Sequence, residues 1–377
     1  MTRYQHLATL LAQRIEQGLY QGGERLPSVR ALSAEHGVSI STVQQAYHLL
    51  EEKQLITPQP RSGYFVTPCK SKPPVPPITR PAQRPVEITQ WDSVLELINS
   101  RMDEDTLQLG SGMPDTSQPT IKPLWKIIGR LAQKQDQRML NYDNIYGVAA
   151  LREQLARMAI DSGCQLSPDE IVITTGCHEA LSVSIRAICQ PGDIIAVESP
   201  TFHGTMQTLR GNGIKVIEIP TDSVTGISLE ALELALEQWP IKAVIVVPNC
   251  NNPLGFIMPE ARKRALLSMA QCFDIAIIED DVYGELAYEY PRPLSIKSMD
   301  EDGRVLLCSS VSKVLAPGLR VGWVAPGRYL NRVLHLKYIG TGSTATQTQL
   351  AVAEFIRQGY YQPHLRQMRM HYQRNLD

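Results

Sequence analysis

Residues 305–325 read VLLCSSVSKVLAPGLRVGWVA. An apolar run at 305–308 ends in two serines, and a second at 321–325 follows a turn marked by Pro317 and Gly318. Runs of this length, bounded by turn residues, predict strands buried on both faces. The same unit repeats outward along the chain. Candidate strands fall at 171–174, 194–197, 215–219, 243–247 and 275–278. Helical periodicity falls between them at 148–162, 178–189, 203–211, 229–238 and 259–272. Strands alternating with helices predict an α/β domain with a mostly parallel sheet covered by helices.

The composition agrees. The chain has 377 residues, 43% hydrophobic and 20% charged, with a net charge of −1. That balance excludes disordered and fibrous classes. The apolar runs are far shorter than the roughly 20 residues that cross a bilayer, and the charged, amphipathic start is no signal peptide. The seven cysteines are scattered, with no CxxC pair and no HExxH, so neither a zinc site nor a disulfide framework is expected. Reduced thiols point to the cytoplasm.

Residues 68–85 carry seven prolines in eighteen positions. Proline fixes φ and removes a donor, so this stretch predicts a semi-rigid linker, taken as 68–90. It separates residues 1–67 from residues 91–377. The first ninety residues carry a net +4 and the remainder −5, which permits a nucleic-acid contact at the N-terminal end. There, Leu7, Leu10, Leu11, Ile15 and Leu19 share a helical face. Ser28 opens a second helix that Gly37 closes, and a third starts near Ser39 with Val43, Ala46, Tyr47 and Leu50 inward. Two extended runs flank Arg61-Ser62-Gly63. This pattern describes a winged helix-turn-helix whose third helix lies in a major groove, presenting Ser39, Ser41, Thr42 and Gln44. Arg30 and the wing residue Arg61 suit the phosphate backbone. A small protein-binding helical domain fits the same pattern.

Residues 5–66, with GERLPSVRALSAEHGVSISTVQQAYHLLEEKQLITPQPRSGYFV at their centre, resemble the DNA-binding domain of GntR-family bacterial regulators. The resemblance implies that Arg30, Ser39, Ser41, Thr42, Gln44 and the Ser62-Gly63 wing face double-stranded DNA. Ile40 and Gln44 stand where that family often has arginine, which predicts weaker salt-dependent attraction.

In the larger part, Lys313 taken alone reads as a solvated loop lysine, Asp280 as a helix cap or metal ligand, and Asn249–Gly255 as an asparagine-rich turn. Together they suit another chemistry. A lysine can bond an aldehyde cofactor, a buried carboxylate can hold a pyridinium nitrogen, and Arg320 with Ser310 and Ser312 can hold a phosphate. In order and spacing, residues 107–376 resemble the fold type I pyridoxal phosphate enzymes. The resemblance implies pyridoxal 5'-phosphate as cofactor, held as an internal aldimine on Lys313. Asp280 then serves the ring nitrogen, Asn252 and Tyr283 the ring oxygen, and Phe202 the ring face. Gly176, Cys177, His178 and Arg320 serve the phosphate, and Tyr142 reaches the phosphate of a neighbouring subunit. Gly112 matches a glycine near the substrate, and no metal is implied.

A GntR reader ahead of an aminotransferase-like domain resembles MocR-type regulators, which implies a head-to-tail homodimer, an amino-compound effector and no membrane. No counterpart of the arginine that holds a substrate carboxylate in the small C-terminal domain is found by Asp377. The large domain is therefore expected to be incomplete at that end. The leading reading is a pyridoxal-phosphate-responsive regulator. An aminotransferase with an attached DNA-binding module and a repressor whose body no longer binds cofactor are the alternatives.

Overall fold

The computed structural model describes residues 2–53, 55–59, 62–67, 78, 79, 81, 84–86, 94–96, 112–134 and 137–376. They divide into two compact units, Met1–Val75 and Pro76–Asp377.

The smaller unit holds α1 (Arg3–Glu16), α2 (Val29–His36), α3 (Ile40–Glu52) and the hairpin β1 (Ile56–Gln59) and β2 (Gly63–Val66). Each helix boundary has a local cause. Ser28 Oγ accepts from the Ala31 N–H and opens α2, and Gly37 closes it at φ 62°, a conformation that costs glycine little. Ser39 Oγ accepts from the Thr42 N–H and opens α3. Leu7, Leu11, Leu32, Val43, Ala46, Tyr47, Leu50, Ile56 and Val66 form one core. The Tyr47 hydroxyl donates to the Pro27 carbonyl at 2.5 Å, tying α3 to the start of α2. The hairpin pairs Ile56 with Val66 and Gln59 with Gly63, and Arg25 bridges Phe65 on its other side. Leu19 departs from the sequence reading. It is 65% exposed, because α1 stops at Glu16 and Gly18 turns the chain at φ 76°.

The larger unit is built on an eight-stranded sheet among the described residues. Its strands are β3 (Val172–Thr174), β4 (Ile194–Ser199), β5 (Lys215–Asp222), β6 (Gly226–Ile227), β7 (Ile241–Val246), β8 (Ala276–Asp280), β9 (Val305–Ser310) and β10 (Gly322–Ala325). They run in the order β3-β10-β9-β8-β7-β4-β5-β6. From β9 to β5 all neighbours are parallel. β10 is antiparallel to both β9 and β3, and β6 is a two-residue edge strand that the sequence reading passed over.

Helices cover both faces. α6 (Cys177–Ile188), α7 (His203–Gly211), α8 (Leu229–Gln238) and α9 (Glu260–Cys272) follow β3, β4, β6 and β7 in turn. Ile195, Val197, Ile245 and Ile278 share a core with α6. Their chain neighbours Ala196, Val244, Val246 and Ile277 share the opposite core with α8 and α9. Consecutive residues thus point to opposite faces, and both faces are apolar, as in a sheet buried on two sides. The third core joins Ile171, Ile173 and Val321 to α4 (Lys122–Gln133), α5 (Ala149–Ala159) and α11 (Thr346–Arg357). α10 (Leu330–Gly340) and α12 (Tyr361–Leu376) complete the unit.

Truncating the fully buried Leu32 to alanine in the full chain is expected to cost the smaller unit about 2–5 kcal/mol. Calorimetry should then show its unfolding transition at lower temperature with that of the larger unit unmoved. A joint shift would show that the two do not unfold independently.

Candidate functional site

The parallel strands end at one edge of the sheet, the edge at which open α/β sheets carry ligands. Asp280 closes β8, Ser310 closes β9, and the loops after β3, β4 and β7 bring Gly176, Phe202 and Asn252 to the same side. Lys313 lies on the 311–321 connection between β9 and β10. Its ammonium donates to the Gly112 carbonyl at 3.0 Å and stands 5.8 Å from the centre of the Tyr283 ring. Gly112 takes φ 53° there, and a Cβ on it would lie 3.4 Å from Lys313 Nζ.

Asp280 is 6% exposed. Its Oδ1 accepts from the Val282 N–H at 3.2 Å and from the Cys177 thiol at 3.6 Å. Burial raises its carboxyl to about 6, and the nearby Lys313 ammonium pulls the other way. The Asp280 and Lys313 side chains therefore share one electrostatic neighbourhood. Burial, followed by the Asp280 charge, lifts the Tyr283 hydroxyl to about 12, opposed by its hydrogen bond with Asn252. The thiol of Cys177 is pushed well up, first by burial and then by Asp280, and stays protonated.

At the other end of the cluster, Gly176 starts α6 at φ 80°. A Cβ on Gly176 would fall 2.1 Å from Arg320 Nη2, so glycine is what lets the guanidinium lie against the turn. Arg320 donates to the carbonyls of Thr175 at 2.9 Å and Pro317 at 3.2 Å. Among the described residues no carboxylate pairs with it. A helix N-terminus beside such a guanidinium has the donors and the charge to hold an anion. His178 is pushed toward its neutral form by burial, then by the Arg320 and Lys313 charges. Its ring meets that of Phe202 edge-on at 6.1 Å. Ser310 Oγ accepts from the Ser312 N–H at 3.3 Å.

Eleven of the residues singled out in this unit thus gather at one edge: Gly176, Cys177, His178, Phe202, Asn252, Asp280, Tyr283, Ser310, Ser312, Lys313 and Arg320. Tyr142 stands apart, 98% exposed on the loop ahead of α5. Beside Lys313 opens a cavity of about 550 Å³, walled by Met113, Ile257, Leu286, Tyr288 and Tyr372 among others.

The sequence reading missed the buried charges beneath the edge. Arg292 bridges Asp281 at 2.5 Å and Glu285 at 2.6 Å. Lys263 donates to Asn249 Oδ1, whose amide nitrogen donates to Asp281. Glu198 accepts from the Val247 N–H and from the Asn251 amide, and burial raises it to about 8. Glu198 and Asp281 carry the sequence signal of charge at the end of an apolar run, whereas Lys263 and Arg292 carry none.

In the smaller unit, Arg30, Ser41 and Gln44 are exposed along α2 and α3. Ser39 Oγ bonds Ser41 Oγ at 2.9 Å and Thr42 Oγ1 at 2.8 Å, so three hydroxyls cluster at the start of α3. Gly63 takes φ 107° at the hairpin tip, with the Arg25 guanidinium 3.3 Å from where a Cβ would stand. Arg25 was not singled out from sequence. Arg61 lies outside the described residues.

Residues 104–377 match the family model "Aminotransferase class I and II", and residues 3–66 match "Bacterial regulatory proteins, gntR family". The chain is 64% identical over 376 residues to the uncharacterized HTH-type transcriptional regulator YjiR of Escherichia coli (strain K12), spanning 100% of this chain and 80% of that protein. It is 39% identical to YdcR, an uncharacterized HTH-type transcriptional regulator of the same organism, over 98% of this chain and 79% of the relative. Among solved structures, a Pyrococcus horikoshii kynurenine aminotransferase in complex with PMP superposes with a TM-score of 0.67 at 30% identity, covering 76% of this chain and 72% of that one.

The raised Asp280 carboxyl has a consequence for stability. In the unfolded chain the group titrates near 3.8 and in the folded one near 6. The fold therefore loses stability as pH rises between those values, by about 3 kcal/mol in all. Asp280→Asn removes that loss. The ligand-free variant is expected to melt above the wild type at pH 8 and to match it near pH 4.

Proposed function

The chain belongs to the aminotransferase class I and II family and carries a GntR-family DNA-binding unit, and on that footing we propose that it senses an amino compound through pyridoxal phosphate and passes the result to DNA. It is a transcription regulator with an aminotransferase-like body, of the MocR type, and the cofactor of that body is pyridoxal phosphate. The supporting observation is the convergence of Lys313, Asp280 and the Gly176–Arg320 anion site on one sheet edge.

The residues suit the group. Arg320 and the free N–H groups at the start of α6 would take the phosphate, helped by Ser310 and Ser312. The buried Asp280 carboxylate, raised to about 6 by its surroundings, would gain a cationic partner in the ring nitrogen. Asn252 and Tyr283, already bonded to each other, would meet the ring oxygen, and Phe202 the ring face. Lys313 would bond the carbonyl carbon. When bound, the cofactor supplies an electron-accepting ring and a carbon that exchanges one amine for another. Tyr283 keeps its proton near neutral pH because burial holds the hydroxyl up. Asp280 is mostly ionised at pH 7, ready to accept a proton-bearing nitrogen. The exposed Tyr142 suits service to a neighbouring subunit in a head-to-tail dimer.

An amino effector would take the place of Lys313 on the cofactor's carbonyl carbon and return the lysine to its amine form, the form whose ammonium donates to the Gly112 carbonyl. A ligand that binds one domain arrangement better than another shifts their populations, and the shift repositions the reader. On DNA, Arg30, Ser39, Ser41, Thr42, Gln44, Gly63 and, beyond the described residues, Arg61 would meet the operator. The reading places the protein in the cytoplasm. No described helix is long and apolar enough to cross a membrane.

Lys313→Ala is expected to abolish the visible absorbance of the cofactor-loaded protein while operator binding persists. If the variant keeps that band, the lysine is misassigned. Arg30→Ala is expected to leave the absorbance alone and to lower the slope of log affinity against log salt by about 1. Steady amino-group transfer between amino and keto acids would favour the enzymatic reading.

A further inference from the structure

Beside the Thr175–His178 turn lies a charge pair to which the proposed reading gives no role. Lys337, on α10, is wholly buried, and its ammonium stands 3.7 Å from Glu179 Oε1. Glu179 sits in the first turn of α6. Its Oε2 accepts from the Thr175 N–H at 2.5 Å, and its Oε1 accepts from the Thr341 hydroxyl. The Thr175 carbonyl in turn accepts from Arg320. Lys337 also donates to Thr344 Oγ1 at 2.8 Å, and that hydroxyl donates to the Ile173 carbonyl in the middle of β3. One ammonium thus braces the chain before the turn and, through Glu179, the turn itself.

The arrangement contains a conflict. A carboxylate in the first turn of a helix is stabilised by the N–H groups there, but those N–H groups are also what a phosphate needs. Left uncompensated, Glu179 would repel the dianion across less than one helical turn, in surroundings that screen poorly. We propose that Lys337 is a positioning residue that cancels the Glu179 charge and thereby keeps the Thr175–His178 turn and Arg320 receptive to a phosphate dianion. The inference rests on the reading that the cofactor's phosphate sits at this turn. Burial lowers the Lys337 ammonium from its usual range, and the Glu179 carboxylate opposes that.

The test compares pyridoxal 5'-phosphate with pyridoxal, which lacks the phosphate, by absorbance titration of the full chain. The wild type is expected to prefer the phosphorylated ligand. Lys337→Met is expected to lose roughly tenfold or more in affinity for it, the size that outer-shell partners contribute at metal centres, while pyridoxal binds as before. Lys337→Met combined with Glu179→Gln removes both charges and is expected to restore the preference, which a purely structural role for Lys337 would not allow. Thr341→Val, at an exposed position, cuts the hydroxyl bond to Glu179 and is expected to lower the preference in a chain whose core is intact. Equal loss of both ligands in Lys337→Met, or wild-type preference retained in both it and Thr341→Val, would overturn the inference. A wild type that binds pyridoxal phosphate no better than pyridoxal would overturn the phosphate placement and the inference with it. A wild type with a clear preference that the variants do not disturb leaves that placement standing and removes only the role of Lys337.

Discussion

The organising constraint of the larger unit is a carboxylate held out of water at the end of a central strand. Asp280 sits between parallel neighbours and accepts from a thiol and a backbone N–H. Burial of an ionised group without a full set of partners is costly. The fold tolerates it because the strand is locked on both sides by parallel pairing and packed on both faces by helices. The same burial leaves the group responsive to a positive partner. The surrounding groups are arranged to suit: a lysine on one side, a tyrosine held protonated on another, and an anion site beyond. The chemistry of the site follows from where the sheet ends its strands.

Much of this was legible in the sequence because its signals are local. Alternating apolar runs marked the central strands, and Ser28, Gly37 and Ser39 marked the helix boundaries of the smaller unit. The residues that the family resemblance singled out mostly end a strand or lie in the loop after one, which is why they gather at one edge. What escaped notice depends on distant partners. The direction of β10 is set by its pairing with β3, nearly 150 residues earlier in the chain, and no periodicity encodes that. α4 and α11 have apolar faces that read as ordinary surface patterns until the third core is assembled, and the same holds for α10 and the core it shares with α6. Lys263, Lys337 and Arg292 look like solvent-facing charges in sequence, yet each is buried against a partner from another element. Leu19 shows the reverse case, an apolar residue in the right register on a helix that had already ended.

The smaller unit has its own logic. Its stability comes from one core shared by three helices and the hairpin, and its exposed polar groups gather where α3 begins. The hydroxyls of Ser39, Ser41 and Thr42 bond one another, so a DNA contact there exchanges one set of hydrogen bonds for another. Net gains from such exchanges are modest. In the proposed encounter with DNA, Ile40 and Gln44 contribute no charge, and the exposed Arg25 and Arg30 would supply part of the electrostatic attraction.

The connection from β9 to β10 has an implication for timing. Lys313 and Arg320 ride on the same eleven-residue hairpin link, closed at its base by the Val311 N–H on the Val321 carbonyl and by the antiparallel register of Gly322 with Ser310. In the proposed binding mode, two of the groups that hold the cofactor, one at each end, would therefore share a single latch. Any excursion that lifts this link loosens both grips together, so residence time would follow the opening frequency of one short hairpin.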